Sequence, residues 1–210
     1  MYHWNGCQLV AIDTETTGLD CNRHEIWNLA MVPLDSNCVQ RQDVLPLDLM
    51  ICPQNPEFID WEVPVHKSNR HRIADAIRLG FTQDAAVDII KNWIDKLGLP
   101  LNRSGYNRCK IIPLGHNYGF ERGFMMALMG EHLYEELFHY HYRCTMTIAG
   151  FLCDRAAVRA ENVPFPKFSL QYLARNCLKI DTGQSHTALD DAVTTSKVYK
   201  ALLDRGGLFT

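Results

Sequence analysis

Apolar residues along the chain follow two patterns, short continuous runs and longer stripes at helical spacing. The run from Leu9 to Ile12 is followed by a Thr-Gly pair at positions 17 and 18, which is typical of a buried strand that ends at a turn. Further strands are predicted over residues 26–34, within 39–51, and over 109–114. The first half of the chain therefore carries most of the predicted sheet.

Helical stripes dominate the remainder of the chain. The clearest covers residues 85–97, with apolar residues at positions 86, 89, 90, 93, 94 and 97. Further helices are predicted over 120–129, 147–158, 170–178 and 187–203, whereas 53–72 is rich in Pro, His and Asn and predicts a long irregular segment. Strands followed by helices that interleave with a strand indicate a layered α/β or α+β domain.

The length of 210 residues fits one domain, and we expect residues 1–210 to form a single unit. Apolar residues make up 47% of the chain and charged residues 21%, which excludes a disordered or fibrous protein. The formal net charge of −3 lacks the basic surplus of a dedicated nucleic-acid-binding domain. Because we find neither a secretory signal nor an apolar run long enough for a membrane span, we expect a cytoplasmic protein.

The first chemical signal is a pair of carboxylates, Asp13 and Glu15, at the end of the first predicted strand. Side chains two residues apart point to the same face of a strand, so these two acids would converge. Two anions held close in a water-poor place are unfavourable unless a cation compensates them. The pattern therefore predicts a hard divalent cation with oxygen ligands, such as Mg²⁺ or Mn²⁺.

The second signal is Gly-His-Asn-Tyr-Gly-Phe-Glu at 115–121, which follows the predicted strand 109–114 and opens a helix. Asn117 and Glu121 are four residues apart and would share one helix face. A purely structural interpretation is equally open, because Asn suits a helix N-cap and Glu suits the first turn.

The third signal is His-Thr-Ala-Leu-Asp-Asp at 186–191. Thr187 and Asp190 match a capping box, which would place Asp191 in the first turn of the last helix and His186 just before it. Each residue also has an ordinary interpretation, Asp191 as first-turn charge and His186 as a loop histidine.

Taken in order, the three motifs resemble those of the DEDDh 3′–5′ exonucleases, the DnaQ-like group of the ribonuclease H-like superfamily. The resemblance extends over about residues 9–203. Two weaker segments support it. Residues 168–174 are similar to the N-S-L-x-x-L helix of the family, with Phe168 in place of Asn. The segment that begins at Cys144 is similar to D-T-L-x-L-A, with Cys in place of the acid.

The resemblance implies a ribonuclease H-like fold, with a mixed central β-sheet flanked by helices. It implies a metal-dependent enzyme that hydrolyses DNA from the 3′ terminus, where the DNA is single-stranded or frayed, and releases nucleoside 5′-monophosphates. Two divalent ions, Mg²⁺ or Mn²⁺, would be the cofactors. The partner would be a nucleic acid with a free 3′ end, and any polymerase or repair partner would be another chain.

Roles carry over from the family residue by residue. Asp13 would bridge both ions, Glu15 and Asp191 would complete the shell of one, and Glu121 would hold the second. His186 would be the general base that takes a proton from the attacking water, a role that suits histidine because its pKa lies near the working pH.

Glu121 departs from the family pattern, in which Asp usually ends the second motif. Glutamate reaches further by about 1.5 Å, one C–C bond. The coronavirus proofreading exonucleases are similar in carrying Glu at this place. The change would favour Mn²⁺ over Mg²⁺, because Mg²⁺ is stricter about octahedral geometry.

Substrate contacts are implied mainly for residues just after the acid pair. The resemblance indicates Thr16 and, by packing on a base, Leu19, with Asn117 as a further contact. The most basic run of the chain, 66–72, is either a solvated loop or a surface that tracks a nucleic-acid backbone.

Two alternatives to a DNA exonuclease stay open. One is an exoribonuclease of the same family, because the choice between DNA and RNA depends on contacts to the 2′-OH. The other is a catalytically impaired nucleic-acid-binding or proofreading subunit. The net charge excludes neither, because two divalent ions would change −3 to about +1 and concentrate positive charge where a phosphate binds.

Overall fold

The computed structural model describes residues 6–102, 105, 108–182 and 187–206. Five strands form one mixed sheet in the order β3-β2-β1-β4-β5. The strands are β1 (Gln8–Thr16), β2 (Ile26–Pro33), β3 (Leu47–Met50), β4 (Ile111–Gly115) and β5 (Arg143–Cys144). The β1–β2 and β2–β3 pairs are antiparallel, whereas β1–β4 and β4–β5 are parallel. The carboxyl ends of β1, β4 and β5 therefore lie at the same edge of the sheet.

Helices occupy most of the chain outside the sheet. They are α1 (Pro64–Ser68), α2 (Arg70–Leu79), α3 (Gln83–Lys96), α4 (Gly119–Met129), α5 (Glu131–Leu137), α6 (Thr145–Val158), α7 (Leu170–Tyr172) and α8 (Ala188–Gly206). A 3₁₀ turn spans Pro56–Phe58, and α7 continues as a π-helical segment over Leu173–Leu178. None of the helices in this described part of the chain is both long and apolar enough to cross a membrane.

Helices cover both faces of the sheet, which explains why the central strand β1 is apolar on both sides. On one face, Ile12 belongs to a buried cluster with Trp93 of α3 and Phe124 of α4. On the other face, Ala11 belongs to a second cluster with Ala192 of α8. The mixed sheet between two helical layers confirms the predicted α/β fold class.

The prediction of a long irregular segment over 53–72 is wrong. The segment holds the 3₁₀ turn, α1 and the start of α2. In α2 only Ile73 and Ala76 are buried, both against Trp27, so the apolar stripe is too short to stand out in the sequence. His66 and Asn69 are also buried, although their polarity indicates exposure. The short elements α5 and β5 are not predicted from the sequence either, because neither is long enough to show a full periodic pattern.

Candidate metal centre

Asp13 and Glu15 lie on β1 itself, because the strand continues to Thr16 rather than ending at the acid. Both are partly exposed, whereas Thr14 and Thr16 are buried, which is the alternation expected of a strand. The two carboxylates therefore share the face of the sheet that α8 covers.

Asp191 reaches the same place from the first turn of α8. The predicted capping interaction is present, since the Thr187 hydroxyl donates to Asp190 Oδ2 at 2.8 Å and accepts from the Asp190 N–H at 3.0 Å. Asp190 is thus engaged by the cap, and Asp191 is one residue further along the helix. Carboxylate oxygens of Asp13, Glu15 and Asp191 lie within 4.8 Å of one another.

Glu121 lies on α4, the helix that follows the neighbouring parallel strand β4. β4 ends at Gly115 on the same edge as β1, and Glu121 follows in the first turn of α4. The residue is only 5% exposed, and its Oε2 atom is buried without a hydrogen-bond partner among the described residues. Its charge is the neighbouring charge that most raises the pKa of Asp13, so Glu121 lies beside the acid pair.

The pKa values of these carboxyl groups show how unfavourable the cluster is without a cation. Burial, and then the charges of Glu121, Asp191 and Glu15, raise the pKa of Asp13 well above its ordinary value. Burial, and then the charge of Asp191, raise the pKa of Glu15 to about 7. Burial raises the pKa of Glu121 to about 8. Three carboxylates with raised pKa values, one of which has an unpartnered oxygen, together with Asp191 form a set of oxygen donors that fits a hard divalent cation.

Cys144, at the position where the family that the motifs resemble carries an acid, borders the same cluster and raises the pKa of Glu121. It precedes the first residue of α6. Burial acts to raise the pKa of this thiol, but hydrogen bonds from Thr147 and from the backbone N–H groups of Tyr118 and Asn117 outweigh burial and lower it. The cysteine therefore adds a polarised sulfur beside Glu121.

Gln171 of α7 is a site residue that the sequence analysis missed. Its Nε2 donates to Asp191 Oδ1 at 2.7 Å. The helix that carries it is similar to a family segment, but its sequence alone offers no signal for which residue of that helix faces the acids.

The residues expected to contact substrate lie in different surroundings. Leu19 is 71% exposed in the turn after β1, so it is available to pack on a base. Thr16 is buried, and its hydroxyl donates to the Gly18 carbonyl at 2.6 Å, so it stabilises that turn. Asn117 has a left-handed backbone with φ of 69° and precedes α4, so the shared helix face predicted for it and Glu121 is wrong. His186 lies outside the described residues.

The basic run 66–72 does not act as one surface. His66 is buried, with its Nδ1 at 2.6 Å from the carbonyl of Asp60. Lys67 forms an exposed ion pair of 3.1 Å with Glu62.

Arg70 and Arg72, the two arginines of that run, each lie over a tryptophan. The Arg70 guanidinium lies 5.0 Å from the ring centre of Trp61. Arg72 lies 5.3 Å from the ring centre of Trp27, and its charge lowers the pKa of Glu15.

Comparison with known proteins shows the fold. No protein-family model matches the sequence, and no curated protein matches it. Among solved structures, E. coli exonuclease I in complex with a dT13 oligonucleotide has a TM-score of 0.67 and 16% identity, covering 96% of this chain and 42% of that chain. Exonuclease I from Methylocaldum szegediense has a TM-score of 0.61 and 18% identity, covering 96% and 41%.

A third structure matches over nearly its whole length. The nuclease domain of 3′hExo, a DEDDh family member bound to rAMP, has a TM-score of 0.62 and 16% identity, covering 98% of this chain and 96% of that domain. The chain thus spans about two-fifths of the exonuclease I chains but nearly all of this domain. At these identities the likeness shows the fold, which is the ribonuclease H-like fold expected from the motifs.

Proposed function

We propose that the chain is a DEDDh-type 3′–5′ exonuclease that hydrolyses DNA from the 3′ end of single-stranded or frayed ends and releases nucleoside 5′-monophosphates. The observation that carries the proposal is the meeting of Asp13, Glu15 and Asp191 within 4.8 Å, with Glu121 beside them. These acids come from three separate motifs, and the order of the motifs is that of the family. The fold shared with exonucleases supports the same conclusion.

The acids would hold two divalent ions, Mg²⁺ or Mn²⁺. The charges of the other three carboxylates all raise the pKa of Asp13, so this residue suits the position between both ions. Glu15 and Asp191 would complete one shell, and Glu121 would serve the other with its unpartnered Oε2. When bound, such ions supply charge neutralisation at the phosphate and a more acidic water.

Proton transfer would fall to His186. An imidazole nitrogen would accept a proton from the attacking water as the water oxygen bonds to phosphorus and the bond from phosphorus to the 3′ oxygen breaks. His186 directly precedes Thr187, the first residue of the capping box, and Asp191 follows five residues after it. This short separation along the chain supports a role close to the acids.

An exoribonuclease is a second candidate, and a specific comparison favours it. The 3′hExo nuclease domain is matched over almost its whole length, and it was solved with rAMP. E. coli exonuclease I was solved with dT13 and dA16 oligonucleotides, but its chain extends well beyond the matched region. We further propose that residues 1–210 act as one exonuclease domain.

The test is a degradation assay with matched substrates. Single-stranded DNA, double-stranded DNA and single-stranded RNA, each labelled at the 5′ end, are incubated with Mg²⁺ or Mn²⁺ and separated on a denaturing gel. We expect a ladder that shortens from the 3′ end, fastest on single-stranded DNA, and no ladder from Asp13→Asn. A ladder on RNA alone supports the exoribonuclease, and binding without cleavage supports the catalytically impaired alternative. Internal cuts overturn all three.

A further inference from the structure

Arg72 of α2 reaches the acid cluster from outside the three motifs. Glu15 of β1 lies directly opposite Asn28 of β2 in the antiparallel pair. Directly opposite residues present their side chains on the same face, about 5 Å apart. An Arg72 guanidinium nitrogen lies 3.3 Å from Asn28 Oδ1, which brings the cation to the side of Glu15.

The position of Arg72 is fixed by packing rather than by the arginine alone. Ile73 and Ala76 are fully buried against Trp27 and anchor α2 on the end of β2. The Arg72 guanidinium lies 5.3 Å from the centre of the same Trp27 ring, a cation–π distance. The arginine is therefore held in place before any ligand arrives.

Asn28, the hydrogen-bond partner of Arg72, is itself held rigidly. It is 3% exposed, and its Nδ2 donates to Asp48 Oδ1 at 2.8 Å and to the Leu49 carbonyl at 3.2 Å. These two bonds commit the amide nitrogen, so the amide oxygen faces Arg72. A guanidinium fixed in this way loses little conformational freedom when it binds a ligand.

We propose that Arg72 binds a backbone phosphate of the nucleic-acid strand whose 3′ end lies at the acid cluster. The inference rests on the proposed exonuclease function. A guanidinium carries five N–H donors in a planar fork, so it can hold Asn28 and a phosphate oxygen together. It stands beside Glu15, where an incoming phosphate would meet the acids.

The experiment compares Arg72→Gln with Arg78→Gln. Arg78 lies on the same helix, is 71% exposed and pairs with Asp75 at 2.8 Å, so its removal changes the net charge equally at a site far along α2. We measure KM and kcat on a single-stranded oligonucleotide, and binding of a fluorescein-labelled oligonucleotide in EDTA, at several KCl concentrations. We expect Arg72→Gln to raise KM about tenfold, as for a hydrogen bond to a charged group. The slope of log affinity against log salt should fall by about 0.7. Arg78→Gln should match the wild type.

Other outcomes separate the explanations. An unchanged salt slope together with tighter Mn²⁺ binding by calorimetry means that Arg72 serves only to neutralise Glu15, because the variant has lost a cation that repels the metal ion, and this result overturns the proposal. Equal behaviour of the two variants also overturns it. Arg72→Lys keeps the positive charge but not the planar fork, so it should bind the oligonucleotide with intermediate affinity. The melting temperature of each variant shows whether it is folded. A wild-type protein that binds the oligonucleotide without cleaving it would contradict only the proposed exonuclease activity. The salt dependence of binding, compared between the variants, would then still test whether Arg72 binds a phosphate. A wild type that neither binds nor cleaves defeats both.

Discussion

Gln171 Nε2 donates a 2.7 Å hydrogen bond to Asp191 Oδ1, so a residue of α7 fixes the orientation of an acid on α8. The Oε1 atom of Gln171 is buried and has no hydrogen-bond partner within the described ranges. The Gln171 amide therefore lies next to the acids, with its Nε2 bonded to Asp191 and its Oε1 able to accept a further hydrogen bond.

Replacing Gln171 with Met should weaken metal binding while preserving the fold. Met fills a similar volume but removes the hydrogen bond from Gln171 to the Asp191 carboxylate. Losing the residue that orients a ligand typically costs tenfold or more in metal affinity. Calorimetric titration with Mn²⁺ measures the change, and excess Mn²⁺ should restore part of the turnover. Gln83→Met is the matched control, because Gln83 donates a similar 2.8 Å bond to Glu25, outside the acid cluster. Unchanged Mn²⁺ affinity in Gln171→Met would rule out this role.

Glu121 is the acid whose substitutions are most informative. Glu121→Asp should remain active, with its preference shifted from Mn²⁺ toward Mg²⁺, because the shorter side chain restores the usual acid of the family. Glu121→Ala should lose roughly a hundredfold to a thousandfold in turnover, the range expected when several kcal/mol of charge stabilisation is removed. Turnover assays with each metal give both results. A fully active Glu121→Ala enzyme would show that the residue lies outside the reacting centre.

His186→Ala should abolish most turnover and spare metal binding. A general base contributes typically about 10²- to 10⁴-fold to the rate, whereas the proposed metal ligands are all carboxylates. The nuclease assay and Mn²⁺ titration are run on the same preparation. The assignment fails if turnover is unchanged, or if Mn²⁺ binding disappears with it, because the latter would make His186 a ligand.

The metal-free protein should lose stability as the pH rises from about 5 to 8. The folded-state pKa values of about 7 for Glu15 and about 8 for Glu121 exceed the ordinary value of 4.5, so the native protein binds more protons than the unfolded chain in this window. Their contribution is full below pH 4.5 and is lost as the pH passes the raised values. Burial lowers the pKa of His116, which acts in the opposite direction below about pH 6.5.

Thermal unfolding in EDTA across this range measures the effect. Adding Mn²⁺ at pH 8 should raise the melting temperature by several degrees, since the ion binds only the folded cluster. Asp13→Asn is the control, because it removes one acid and should both flatten the pH dependence and abolish the response to Mn²⁺. A wild-type melting temperature that rises steadily from pH 5 to 8 would contradict the prediction.

Leu19→Ala should weaken substrate binding without affecting stability. The side chain is 71% exposed, so its removal costs the fold little, but burying it against a base would contribute about 1.5 to 3 kcal/mol. We expect KM to rise about tenfold with kcat nearly unchanged. Leu45→Ala is the matched control, since Leu45 is 82% exposed on the loop before β3. Equal KM values for the two variants would remove Leu19 from the substrate contacts.

Features that depend only on neighbours along the chain follow from the amino-acid sequence alone. The alternation around Asp13 and Glu15 places both acids on one face of β1, and the capping box at Thr187 and Asp190 forms as its spacing predicts. These arrangements are local, because strand periodicity and helix capping involve residues only two or three positions apart.

The way in which these local elements come together is set by the packing of the whole fold. The parallel pairing of β1 with β4 brings Glu121 beside Asp13, although they are far apart in sequence. Gln171 reaches Asp191, and Arg72 reaches Asn28, through packing of helices whose sequences do not specify their partners. Such contacts depend on which buried faces pack together in the whole fold. A single sequence indicates which residues form the apolar face of each element, but not which other element that face packs against.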